Sequence, residues 1–167
     1  MARIAIDTNV FIHLTNPKEN PDSHIDQLLS HLAKDNPRLC VDSTKKISNE
    51  YLEKLGPRIN SQDEKGIAIF LLRFWMDQGL REEIATDVQD RLMRRIERVI
   101  IERDEHTDRT FVYVSCKGDC PLISNDHGHI IGRRAELRKQ TREYRGSATS
   151  FKTSLEYVQE YVRGAAR

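Results

Sequence analysis

Arg3-Ile4-Ala5-Ile6-Asp7-Thr8-Asn9 is a short apolar run that stops at an aspartate, and Pro121-Leu122-Ile123-Ser124-Asn125-Asp126 repeats the pattern far downstream. Short apolar runs of this kind fit buried parallel strands. Leu39-Cys40-Val41 makes a third, following the Asn36-Pro37 break. Between the strands the apolar period switches to that of a helix. Ile25, Leu28, Leu29 and Leu32 line one face, with Asp22 or Ser23 as the cap; Ile47, Tyr51 and Leu55 line the next, with Ser43 as its cap and Gly56-Pro57 as its stop. Capping boxes at Ser61–Glu64, Thr86–Gln89 and Thr153–Glu156 open three further helices. Their apolar faces are Ile67, Phe70, Leu71, Phe74 and Trp75; Val88, Leu92, Ile96 and Val99; and Leu155, Val158 and Val162. Asp104 to Ser115 reads as one more helix, with Phe111, Val112 and Val114 inward. Strands alternating with helices imply an α/β protein with a parallel sheet covered on both faces.

The 167 residues suit one domain and can bury an ample core without a staple. Charged residues make up 32% of the chain, yet 27 basic against 26 acidic side chains leave a net charge of only +1. Attraction to a polyanion must therefore come from local patches. No apolar run is long enough for a membrane span. The opening strand leaves no room for a signal-peptide core, so a cytoplasmic location is expected. Cys40, Cys116 and Cys120 lack the pattern of a zinc site and are expected to be reduced thiols.

Ligands in an open parallel sheet sit beyond the carboxyl ends of the strands. The first strand delivers Asp7, Thr8 and Asn9 there, and the late strand delivers Ser124, Asn125 and Asp126. Asp108 lies in the first turns of a helix that leads back to that late strand, so it can reach the same edge. Glu50 borders the Ile47–Tyr51 stripe on the helix after the second strand. Each acid alone has a structural use, as a turn residue, a helix-dipole partner or a solvated side chain. Together they repel: at ~5 Å and an effective dielectric of ~20, each like-charge pair costs about 3 kcal/mol. Such a cluster makes sense when a cation fills it. Oxygen donors select a hard cation, Mg²⁺ or Mn²⁺, whose usual business is phosphate chemistry.

The same residues resemble a known family. Ile-Ala-Ile-Asp7-Thr8-Asn9-Val-Phe-Ile looks like the opening motif of PIN-domain nucleases. Ile47-Ser-Asn-Glu50-Tyr51 resembles their second motif, His106-Thr-Asp108-Arg-Thr-Phe-Val their third, and Pro-Leu-Ile-Ser124-Asn125-Asp126 their fourth. All four occur in family order over residues 3–127. The resemblance implies a three-layer α/β/α sandwich with about five parallel strands and a Mg²⁺- or Mn²⁺-dependent endoribonuclease. Asp7, Glu50, Asp108 and Asp126 would be its metal ligands and catalytic residues. Asn9, Ser124 and Asn125 would orient them or position substrate. Asp104 and Glu105, one turn before Asp108, are the competing choices for the third ligand, with Asp104 better suited to a cap. Many relatives are toxins held by a small antitoxin, and others process RNA. The expected partners are RNA, such an inhibitor and a second copy of the chain, with no membrane. The chain reads as a single domain over residues 1–167, less typical of the family from about 128 onward.

Residues 133–145 are strongly basic. Arg133, Arg134, Arg138, Lys139 and Arg142 follow the fourth motif closely and are the expected RNA-binding group. Arg91, Arg94, Arg95 and Arg98 interleave with Asp90 and Glu97 and read instead as a solvated, charge-balanced helix face. His127 and His129 have no evident third partner and stay outside the site. Trp75, at helical spacing from Phe70 and Phe74, reads as packing. Two other functions compete with the nuclease. One is an RNA-binding or scaffold protein of the same fold without catalysis. The other is phosphotransfer of the haloacid-dehalogenase type, which wants Asp-x-Asp where this chain has Asn9.

Overall fold

The computed structural model describes residues 2–12, 24–58, 74, 76–102 and 104–165. Five strands, β1 (Arg3–Ile6), β2 (Arg38–Asp42), β3 (Arg81–Ile84), β4 (Leu122–Ile123) and β5 (Phe151–Lys152), form one sheet in the order β3-β2-β1-β4-β5. Every pairing is parallel. The helices are α1 (Thr8–Ile12), α2 (His24–Asp35), α3 (Lys46–Leu55), α4 (Arg91–Glu97), α5 (His106–Lys117), α6 (Arg134–Gln140) and α7 (Ser154–Ala165). They complete the expected three-layer α/β/α sandwich. The chain starts in the middle of the sheet, winds outward through β2 to β3, then returns to lay β4 on the free side of β1. The winding direction therefore reverses between β1 and β4, the position at which such sheets open a ligand crevice.

Two strands carry no apolar run. β3 is Arg-Glu-Glu-Ile, an edge strand with no fully buried residue. Its charge suits an exposed edge, where Glu82 pairs with Arg3 at 2.7 Å. β5 spans two residues only, on the opposite edge.

Helix α5 is the centre of the core. It packs on β1, β2 and β4 and against α3 and α4. Every residue from Asp108 to Cys116 is buried, so a one-sided stripe is replaced by Phe111-Val112-Tyr113-Val114 facing all round. Tyr51 of α3 sits between Phe11 and Phe111, with ring centroids 6.1 and 6.2 Å away, and its hydroxyl donates to the Ile6 carbonyl. The three cysteines are free and buried.

Helix caps divide between expectation and correction. The Thr153–Glu156 box forms in full: Glu156 N–H donates to Thr153 Oγ1 at 3.1 Å, and Thr153 N–H to Glu156 Oε2 at 2.9 Å. Within that helix Val158 is buried but Leu155 is 45% exposed. Helix α3 is capped by Asp42 rather than Ser43, because the Asp42 carboxylate accepts from the N–H groups of Lys46 and Ile47 at 3.0 and 2.8 Å. Helix α4 starts four residues later than the Thr86–Gln89 box would have it. Asp90 caps it by accepting from Leu92 N–H at 2.8 Å, and Val88 is exposed. Asp104 is not a cap either; Glu105 holds the N-cap position of α5 and makes no side-chain cap bond. The caps proposed at Asp22, Ser23 and Ser61, the helix with Ile67, Phe70, Leu71 and Trp75, and the side chains of Ile25 and Val162 lie outside the described residues.

Between α4 and α5 the chain is pinned by two arginines. Arg109, buried on α5, donates to the carbonyls of Ile100 and Glu102, both at 2.7 Å. Arg133 donates to the Val99 carbonyl at 2.6 Å and grips the Glu102 carboxylate with both guanidinium nitrogens. Leaving buried carbonyls without donors costs ~1–3 kcal/mol each, so Arg109→Met should lower unfolding free energy by about 2 kcal/mol. Urea titration reads this as an earlier midpoint at unchanged slope; an unmoved midpoint would mean that the segment holds itself without Arg109.

Candidate functional site

Ile6 of β1 is in register with Ile123 of β4, so the residues that follow them emerge side by side at one edge. Asp7 N–H also bonds the Ile123 carbonyl at 2.8 Å. Asp7 is completely buried there. Its Oδ1 accepts from Asn9 N–H at 3.0 Å and thereby caps α1. Its Oδ2 accepts from the Ser124 hydroxyl at 2.6 Å and from Asn9 Nδ2 at 3.4 Å. Ser124 Oγ in turn accepts from Asp126 N–H at 3.0 Å. One hydroxyl thus ties together the acids that end two neighbouring strands.

Asp126 governs the loop beyond β4. Its Oδ1 accepts from Gly128 N–H at 2.8 Å and His129 N–H at 3.2 Å, and its carbonyl accepts from Ile131 N–H at 2.7 Å. The loop closes so tightly that a Cβ on Gly132 would lie 2.1 Å from the His127 carbonyl oxygen, which requires glycine. This fold-back turns the His129 ring onto the carboxylates. His129 Nδ1 lies 3.1 Å from Asp126 Oδ2 and 3.1 Å from Asp108 Oδ2. Glu105 Oε2 is 4.0 Å from the same nitrogen. One ligand atom from each of Glu105, Asp108 and His129 lies within 4.8 Å of the others.

Glu50 reaches the edge from α3, already engaged. Its Oε1 accepts from the Thr8 hydroxyl at 2.7 Å and from Lys54 at 2.9 Å. Burial works against the Lys54 charge, but the bond to Glu50, with the charges of Glu50, Asp7 and Asp108, holds its pKa above the ordinary lysine value.

The electrostatics are those of anions short of counter-charge. Burial pushes the Asp7 carboxyl up to about 6; bonds from Ser124 and Asn9 pull it back, and the charges of Glu50 and Asp126 push it further. Asp108 rises well above the carboxylate range, through burial first, then the Asp7 charge and its contact with Asp126. Asp126 is also pushed up by burial, but the proton on Asp108 and the N–H groups of Gly128 and His129 outweigh this and leave it low. Of the two, Asp108 is the carboxyl that holds a proton more strongly, and Asp126 the one that ionises more readily. Buried carboxylates beside one imidazole, with so few cations to match, form a donor set that fits a hard divalent cation.

Asp7, Glu50, Asp108 and Asp126 are all brought to this edge, as expected. Asp104 is exposed in the turn before α5 and lines an open concavity together with Glu50, Lys54, Glu105 and Asp108. Asn9 and Ser124 hold Asp7. Asn125 is a correction: its Oδ1 accepts from the N–H and hydroxyl of Ser154, both at 3.0 Å, so it fastens the start of α7 instead of facing substrate. Sequence reasoning also missed His129, whose partners come from α5 and from the turn of its own loop. The one sequence signal was its spacing, three residues after Asp126. Thr8 was inside the first motif but had no role until Glu50 gave it one. No family model, curated protein or solved structure matches the chain.

A raised carboxyl pKa makes the fold more stable at low pH. Below ~4, Asp7 is protonated in both folded and unfolded chains. As pH rises through the folded value of about 6, the buried charge comes to destabilise the native state, by about 3 kcal/mol at full ionisation. Asp7→Asn keeps the shape without that charge. In EDTA, its stability relative to wild type should therefore improve by about 3 kcal/mol from pH 4 to pH 8. Denaturant midpoints at both pH values measure this, and a constant gap would mean that Asp7 is ionised at no cost.

Proposed function

We propose that this chain is a Mg²⁺- or Mn²⁺-dependent ribonuclease of the PIN type. The observation that carries the reading is the Asp7–Ser124–Asp126 link at the reversal between β1 and β4, joined to Asp108 through His129. Asp7, Asp108 and Asp126 would hold the cation, with Glu50 or Glu105 completing the set. When bound, the cation would polarise a phosphoryl oxygen and lower the pKa of an attacking water.

The remaining work belongs to the protein. Ser124 aims Asp7 by occupying its Oδ2 and aims Asp126 through the backbone. His129 keeps Asp108 and Asp126 at one distance from a single nitrogen. The raised pKa of Asp108 means that cation binding there would compete with a proton and favour higher pH. Lys54 lies among the same carboxylates, where its ammonium can meet a phosphate oxygen arriving at the edge. RNA is the substrate class that fits the four-motif order, and an antitoxin-like inhibitor is the corresponding partner.

One observation favours a second reading. Lys54 already neutralises part of the cluster through Glu50, as a protein that binds RNA without cutting it would need. Mn²⁺ separates the two. The nuclease should gain thermal stability with Mn²⁺, more at pH 8 than at pH 6, and should cleave single-stranded RNA. Asp7→Asn and Asp126→Asn should each lose both responses. RNA binding with no Mn²⁺ shift and no cleavage would favour the scaffold reading and end the nuclease one.

A further inference from the structure

Helix α4 and its C-cap residue carry Arg91, Arg94, Arg95 and Arg98 at i, i+3, i+4 and i+7, the spacing of one helix face. Their side chains wall an open concavity of about 250 Å³, lined among the described residues by these four alone. The acids that interleave with them in the sequence form no ion pair with them among the described residues. Asp90 is spent on Lys117 at 2.7 Å, the Tyr113 hydroxyl at 3.0 Å and the cap bond to Leu92. Glu97, three residues on from Arg94, is exposed and has no ion-pair partner among the described residues. Arg95 is held from behind by Glu143 at 3.0 Å and stacks over Tyr144. Arg91, Arg94 and Arg98 are exposed and have no ion-pair partner among the described residues.

The segment first expected to be basic and free is largely committed elsewhere. Arg133 is locked to Glu102 and the Val99 carbonyl, Arg134 meets both oxygens of Glu156 at 2.8 Å, and Arg138 donates to the Phe151 carbonyl at 3.4 Å. Lys139 and Arg142 alone among the expected five remain exposed without a partner among the described residues. Among the described residues, three unpaired cations thus stand together along α4 and its C-cap, against two of the expected five in that segment.

We propose that the Arg91–Arg94–Arg98 face of α4 is the track for the sugar–phosphate backbone of single-stranded RNA leading to the acidic edge. The stripe runs about 10 Å along the axis. Its Arg98 end continues through Val99–Glu102, pinned by Arg109 and Arg133, directly into the helix that carries Asp108. An acidic edge repels a polyanion, so cations must hold the flanking phosphates. Guanidinium forks suit phosphate oxygens. A protein partner would want an aromatic or aliphatic anchor at the centre of the concavity, and the lining has none.

This surface rests on the ribonuclease reading only for the choice of RNA, so its test reads binding and not cleavage. Wild type and Arg91→Gln/Arg94→Gln/Arg98→Gln are titrated with labelled oligouridylate in EDTA across a salt series. Gln is a good helix former at exposed sites, so the variant should melt as wild type does. Each lost phosphate contact removes about 0.7 from the slope of log K against log salt, so the variant should bind more weakly at low salt with a slope flatter by about 2. Arg134→Gln, whose guanidinium faces Glu156, should leave the slope unchanged. Three results would overturn the track: an unchanged slope in the triple variant, no RNA binding by wild type, or polyglutamate competing as well as oligouridylate at equal charge. If the slope holds while Asp7→Asn still abolishes cleavage, the track falls and the nuclease stands. If the slope flattens but wild type cuts no RNA with Mn²⁺, the track stands and the nuclease falls.

Discussion

The burial of the Asp7 carboxylate is the constraint around which this structure is arranged. A carboxylate removed from water must be hydrogen-bonded, neutralised or matched by a cation. Asp7 receives hydrogen bonds from Ser124 and Asn9, yet its neighbours are further acids. The bond to Ser124 requires β4 beside β1, which the return of the chain after β3 supplies. The bond to Asn9 starts α1 immediately after the strand. Burial and the neighbouring acids Asp7 and Asp126 likewise push the Asp108 carboxyl well above the carboxylate range.

Asp42 makes a useful contrast. It too is a buried aspartate at the end of a strand next to β1. Its carboxylate accepts from Lys46 and Ile47 N–H and from the Thr44 hydroxyl, so helix α3 consumes it. Asp7 and Asp42 are alike in sequence position and burial, but one caps a full helix with several donors and the other faces acids. Both carboxylates have donors on each oxygen; what sets Asp7 apart is the charge of Glu50 and Asp126 beside it.

Basic residues are sorted by the same logic. Arg133, expected from the sequence to bind RNA, proves with Arg109 to brace the segment that carries α4 into α5. Arg134 is absorbed by Glu156, which is itself fixed by the capping box of α7. Those commitments leave Arg91, Arg94 and Arg98, with Lys139 and Arg142, as exposed cations without an ion-pair partner among the described residues.

The amino-acid sequence by itself determined the alternation of strands and helices, the acids that end β1 and β4, and the capping box at Thr153–Glu156. These are local properties: apolar period, strand-end chemistry and the short reach of a cap. It also brought Glu50 and Asp108 into consideration, because strand and helix lengths limit where they can emerge. β3 and β5 were not legible, since edge strands bury little and show no apolar run. Tertiary structure alone decided that Asn125 faces α7, that Asp90 rather than Thr86 caps α4, and that His129 joins the carboxylates. Each of those outcomes depends on which of several competing donors and acceptors comes within hydrogen-bond distance. Folding alone sets that distance: His129 meets Asp108 only because the loop after β4 folds back on Asp126, and Arg133 leaves the surface only because Glu102 is held within its reach.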